Sequence, residues 1–112
     1  MSRRPEVALS VRQPYAELIL RGKKKIEYRS VLTTKRQRVY IYASLQPGSL
    51  DEFDKLELKA GDLPTGVLVG TVEIKNCQGK PGDYEWHLAK PERLKKQIKP
   101  KKQPQPVWFR PF

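Results

Sequence analysis

Leu9-Ser10-Val11-Arg12-Gln13-Pro14-Tyr15-Ala16-Glu17-Leu18-Ile19-Leu20, followed at once by Gly22-Lys23-Lys24-Lys25-Ile26-Glu27-Tyr28-Arg29, is the stretch on which the reading of this chain turns. Leu9 and Val11 alternate with Ser10 and Arg12, the period of a half-buried strand. Pro14 lacks the N–H that a ladder requires and ends that strand. Tyr15, Leu18 and Ile19 then follow helical spacing, and Gly22 suits the left-handed position just past a helix. The segment therefore predicts a strand over 7–12, a helix over 14–21 and a second strand over 25–29. Arg12, Gln13, Lys24, Glu27 and Arg29 fall close together on this frame, and so many polar groups beside an apolar scaffold mark a site.

Outward from there, Val31 to Gln37 reads as a loop. Arg38-Val39-Tyr40-Ile41-Tyr42-Ala43 is β-branched and aromatic, as a strand requires. Ser49 and Glu52 have the spacing of a capping box, and predict a short helix with Leu50, Phe53, Leu56 and Leu58 on its apolar face. Val67 to Ile74 is a strand, Gln78 to Asp83 a Gly/Pro turn and Tyr84 to Leu88 a strand. Pro91 suits the first position of a short helical turn. A basic, Lys/Pro-rich segment over about 95–105 reads as extended, and Val107 to Arg110 as a last strand. The whole, 1–112, predicts one domain. Its fold class is α+β, a small β-barrel of five to six mixed or antiparallel strands with two or three short helices.

Composition narrows the function. The formal net charge is +11, with 38% hydrophobic and 31% charged residues. Eight bases against the single acid Glu27 occupy residues 21–38, and seven against Glu92 occupy 90–102. The acids gather at Asp51, Glu52, Asp54, Glu57 and Asp62 instead. Clustered Lys and Arg gain from counterion release on a phosphate backbone, so nucleic acid is the expected partner. Met1-Ser2-Arg3-Arg4 is followed by no apolar segment, and no run approaches the length of a membrane helix, so a cytoplasmic location without membrane attachment is expected. With one cysteine, Cys77, and one histidine, His87, neither an internal disulfide nor a metal site of nitrogen and sulfur ligands is expected, and no cofactor is called for. The acidic stretch gives no specific support for a protein partner.

Ala8-Leu9-Ser10-Val11-Arg12-Gln13-Pro14-Tyr15-Ala16, then Gly22-x-Lys24-x-Ile26-Glu27-x-Arg29, resemble the ASCH domain family, a branch of the PUA-like superfold. Tyr40 to Ser44, Gly70 to Ile74 and Trp86 extend the resemblance over nearly the whole chain, in the manner of a small stand-alone bacterial-type member. It implies a barrel of five or six strands with a cleft between the first helix and the sheet, and a role connected with RNA. One branch of the family hydrolyses the acetyl amide of acetylcytidine with a lysine, a threonine and a glutamate. By motif position Lys24 matches the lysine and Glu73 the glutamate, but Glu27 stands where that branch has threonine. A carboxylate is a poorer acyl-transfer nucleophile than an activated hydroxyl.

The reading favours binding over catalysis: RNA or another single-stranded nucleic acid held in a basic cleft. Gln13 would read the base and Lys24, Glu27, Arg29 and Glu73 would surround it, with Lys24 or Arg29 as the natural ion partner of Glu73. Arg12, Ser44, Lys95, Lys96 and Lys99 would contact the strand. Tyr15, Tyr28 and Trp108 would offer stacking faces. The alternative is an enzyme using Lys24, Glu27 and Glu73, either amidohydrolase-like on acetylcytidine or a weak ribonuclease.

Overall fold

The computed structural model describes residues 4–102 and 104–112. The readings made on Met1 to Arg3, and on position 103 of the basic segment, lie outside the described residues.

Six strands and two helices follow one another as β1 (Ala8–Val11), α1 (Tyr15–Leu20), β2 (Ile26–Arg29), β3 (Arg38–Ala43), α2 (Leu50–Lys55), a 3-10 turn (Ala60–Asp62), β4 (Val67–Lys80), β5 (Asp83–Ile98) and β6 (Trp108–Phe109). They form one sheet in the order β2-β5-β4-β3-β1-β6. The β1–β3 pair is parallel, and the other pairs are antiparallel. The mixed α+β character expected from the sequence is present.

The sheet curls into a half-barrel. Trp86 on β5 and Trp108 on β6 lie far apart in strand order, yet their rings stack with centroids 5.6 Å apart and 10° between planes. Arg29 at the end of β2 likewise reaches the Ser10 carbonyl of β1 with a 2.8 Å hydrogen bond. Because the sheet wraps and carries helices, β3 is buried on both faces. Val39, Ile41 and Ala43 enter one core with Leu9, Val11, Ile19, Val72, Ile74 and Trp86. Tyr40 and Tyr42 alternate into a second with Ala8, Leu68 and Phe109.

α1 packs Ala16 and Ile19 inward and ends at Gly22, whose φ of 75° fits the left-handed position. Gly70 lets the helix approach the sheet: a Cβ there would run into the Leu20 side chain and the Glu92 carbonyl. α2 begins with the expected capping box. Ser49 accepts from the Glu52 N–H, and the Glu52 carboxylate accepts from the Ser49 N–H. Of its predicted apolar face only Phe53 is buried in the core; Leu50 is 72% exposed and Leu56 38%.

The hairpin departs from expectation. The turn predicted over 78–83 shrinks to Pro81 and Gly82 between two long strands, and the helical turn predicted at Pro91 is absent. Thr71 faces Glu92 while Glu73 faces Ala89, so β5 carries one extra residue at Lys90–Pro91. A bulge of this kind leaves a residue unpaired, which is where a strand accommodates proline. Lys90 takes φ 51° to make it. Beyond it, Leu94 and Ile98 pack against the second core, and Leu68 pairs with Ile98. The basic segment is therefore extended, as expected, but its first part belongs to the sheet. Residues 101 and 102 are also tied down, their N–H groups donating to the Pro111 carbonyl.

Candidate nucleic-acid interface

β1 runs out at Val11, and the chain turns through Arg12, Gln13 and Pro14 into α1. The end of β1, the first turn of α1, β2 and the approach to β6 enclose a cleft of ≈ 330 Å³ whose walls include Ser10, Arg12, Tyr15, Glu27, Arg29 and Ser44. That volume lies at the lower end of the range of about 300–1,000 Å³ occupied by small-ligand pockets. Pro106 and Val107 close the remaining side.

Glu27 is the charged group at the centre. It is 8% exposed, and a carboxylate so buried persists only when paired. Arg29 supplies the pairing: its Nε donates to Glu27 Oε2 at 2.8 Å while its Nη2 donates to the Ser10 carbonyl. Lys24 approaches the other carboxylate oxygen at 3.5 Å. The Lys24 ammonium also lies 5.5 Å from the Tyr15 ring centroid and 5.4 Å from that of Tyr28, within cation–π range. β2 produces this grouping by alternation, since Glu27 turns inward and Tyr28 outward, where it is 60% exposed.

Tyr15 is held neutral. Burial, and after it the neighbouring Glu52 carboxylate, pushes its hydroxyl pKa above the ordinary 10.0. It stays a hydrogen-bond donor throughout the ordinary pH range. Val107, β-branched and at φ 66°, occupies the left-handed region at a cost of about 1–3 kcal/mol. The Ser10 N–H donates to its carbonyl at 2.8 Å and the Trp86–Trp108 stack holds the next residue, so the surroundings fix this wall of the cleft.

The structure thus gathers Lys24, Glu27, Arg29, Arg12, Tyr15 and Ser44, and leaves others elsewhere. Gln13 is 1% exposed and internally committed: its amide donates to the Pro64 carbonyl and accepts from the Glu17 N–H, each at 3.0 Å. It clamps the turn rather than lining the cleft. Glu73 lies between the buried Val72 and Ile74 and projects to the opposite face of β4. Its ion partner is Arg38 at 3.8 Å, in place of the expected Lys24 or Arg29. Trp108 stacks on Trp86, and the Lys35 ammonium stands 5.2 Å from its ring centroid, so that ring is engaged within the protein. Lys95, Lys96 and Lys99 are exposed along and just beyond the end of β5. Pro106 and Val107 were not legible as site residues, because only the curl of the sheet brings the approach to β6 against β1 and β2.

Among the described residues no group of three or more His, Cys, Asp and Glu is arranged to hold a metal ion, and no helix is long and apolar enough to cross a membrane.

A curled mixed sheet of six strands, with two short helices and a cleft at the end of its parallel pair, defines a small PUA-like α+β domain. The family model of the ASCH domain matches residues 9–109, and the chain belongs to the ASCH domain family. Over 80 residues the chain is 35% identical to activating signal cointegrator 1 of Homo sapiens, covering 62% of this chain. The Mus musculus protein of the same name is 34% identical over 80 residues. The chain spans only 14% of the length of each relative.

Proposed function

We propose that this domain binds RNA, or another single-stranded nucleic acid, with one nucleobase seated in the cleft. The observation that carries the reading is the buried Glu27, fixed by Arg29 and Lys24 at the wall of a cleft rimmed by Arg12, Tyr15 and Ser44. A carboxylate so held accepts hydrogen bonds from the amino and imino donors on a base edge. Arg12, exposed at the rim, meets the phosphate. The net charge of +11 supports the same partner class, as does membership of a family connected with RNA. Unpaired strands fit this arrangement better than duplexes, because only an unstacked base can enter a cleft of this size.

The test is steric. Ser44→Phe fills the cleft while leaving the Ser44 N–H bond to the Val11 carbonyl in place. Titrated against a labelled single-stranded RNA, this variant should keep its melting temperature and lose most of its affinity. Unchanged affinity in a folded variant would show that the cleft does not receive the base.

A further inference from the structure

On the far side of Lys24 lies a second concavity, of ≈ 250 Å³, between the end of α1 and the β4–β5 ladder. Ile19, Val72 and Leu88 line its apolar floor, and Lys24, Lys25, Lys75 and Lys90 stand around it. Among the described residues lining it none is an acid. Lys24 already has Glu27, but among the described residues Lys25, Lys75 and Lys90 have no carboxylate within ion-pair distance. With Lys24 paired to Glu27, it is Lys25, Lys75 and Lys90 that bring uncompensated positive charge to one small cavity, and a bound anion offsets it. Lys90 and Pro91, the residues of the bulge, both line this cavity.

The cavity and the cleft have no lining residue in common, but each shares residues with a shelf between them. Tyr15 lines both the cleft and a shallow shelf formed with Leu18 and Tyr28. Lys24 and Lys25 line both that shelf and the lysine cavity. The shelf offers the exposed Tyr28 ring on the way.

We infer that the lysine cavity is a second subsite, taking a backbone phosphate and its sugar from a nucleotide that flanks the one in the cleft. The strand would then run from the cleft, across the Tyr15–Tyr28 shelf, to Lys75 and Lys90. Phosphate meets the ammonium groups and the sugar meets the apolar floor. This inference rests on the cleft reading proposed above.

The experiment is an NMR titration of isotope-labelled protein with a single-stranded RNA of ten nucleotides, on the unmodified chain and on Lys75→Gln/Lys90→Gln. Both lysines are exposed, so the variant should fold normally. In the unmodified chain the RNA should shift the amides of Gly22, Lys75, Ala89 and Lys90 together with those of Ser10, Val11 and Ser44. The variant should lose the first set, retain the second, and show a log affinity against log salt slope smaller by about 0.7–1.4, one to two phosphates' worth. Shifts confined to the cleft, with an unchanged slope in the variant, would overturn the second subsite and leave the cleft standing. Absence of shifts at both places would overturn both.

Discussion

Arg93 donates two hydrogen bonds, of 2.9 and 2.8 Å, to the two carboxylate oxygens of Glu17, a residue 76 positions earlier in the chain. Arg21 adds a third contact at 2.6 Å. The pair pins α1 to β5, and α1 carries Tyr15 into the cleft. Two-point pairing of this kind fixes orientation as well as distance. Glu17 is 6% exposed whereas the Arg93 side chain is 52% exposed, so water weakens the pair from one side.

That relationship sets a pH dependence. Hydrogen bonding from Arg93, ahead of the contribution of Arg21, holds the Glu17 carboxyl below its ordinary 4.5. A carboxylate depressed on folding contributes its stability in full above the ordinary value and loses it as pH falls below that value, through the folded one. Thermal melts should therefore show the unmodified protein losing stability below about pH 4.5. Glu17→Gln should be destabilised at pH 7 by about 1 kcal/mol, below the roughly 1.5–3 kcal/mol of a charged hydrogen bond because the exposed arginines can hydrate. Its melting temperature should change less than that of the unmodified chain on acidification. Equal acid sensitivity in the two proteins would assign the acid response to other carboxylates.

The exposed lysines at the end of β5 should act through charge alone. Replacing Lys95, Lys96, Lys99, Lys101 and Lys102 by Gln should weaken RNA binding to a similar degree for every sequence, because phosphate contacts carry no sequence information. The melting temperature should hardly move, because these lysine side chains are exposed. A large fall in melting temperature would show that the lysine side chains hold the sheet together. Loss of binding to some sequences only would place them in base recognition.

Acetylcytidine should not be turned over. The motif resemblance sets Glu27 against the threonine of the hydrolytic branch, and Glu73 projects to the other face of β4, beside Arg38. For that reason Glu27→Thr, although it restores the residue types, should gain no turnover either. A nucleoside hydrolysis assay on both proteins checks this, with circular dichroism to confirm that the variant is folded. Turnover by either protein would mean that Lys24 and Glu73 meet during the reaction.

The elements that depend on neighbours in sequence were legible before the structure. The strand over Arg38–Ala43, the Ser49–Glu52 capping box and the left-handed Gly22 each follow from side chains within a few positions. The grouping of Lys24, Glu27 and Arg29 was legible for the same reason, since they are a turn and a short strand apart. What failed depended on distant partners. Leu94 and Ile98 are spaced alike for a helix and for a strand, and only the pairing of Ile98 with Leu68 and the packing of both against the second core decide between them. The outward face of Glu73 is set by Val72 and Ile74 claiming the core. Gln13 looked like a reader of bases because its clamp on Pro64 joins residues 51 positions apart. Val107 became part of the cleft only through the curl that stacks Trp86 on Trp108.

The central claim is that a basic cleft holds an unpaired strand, and a salt titration tests it most directly. Binding of a labelled single-stranded RNA, and of a duplex of the same sequence, is measured by fluorescence anisotropy at a series of salt concentrations. If about four to six phosphates are contacted, log affinity should fall with log salt at a slope of about −3 to −4, with the single strand bound more tightly than the duplex. A flat slope, equal affinity for the duplex, or no binding at low salt would contradict the account.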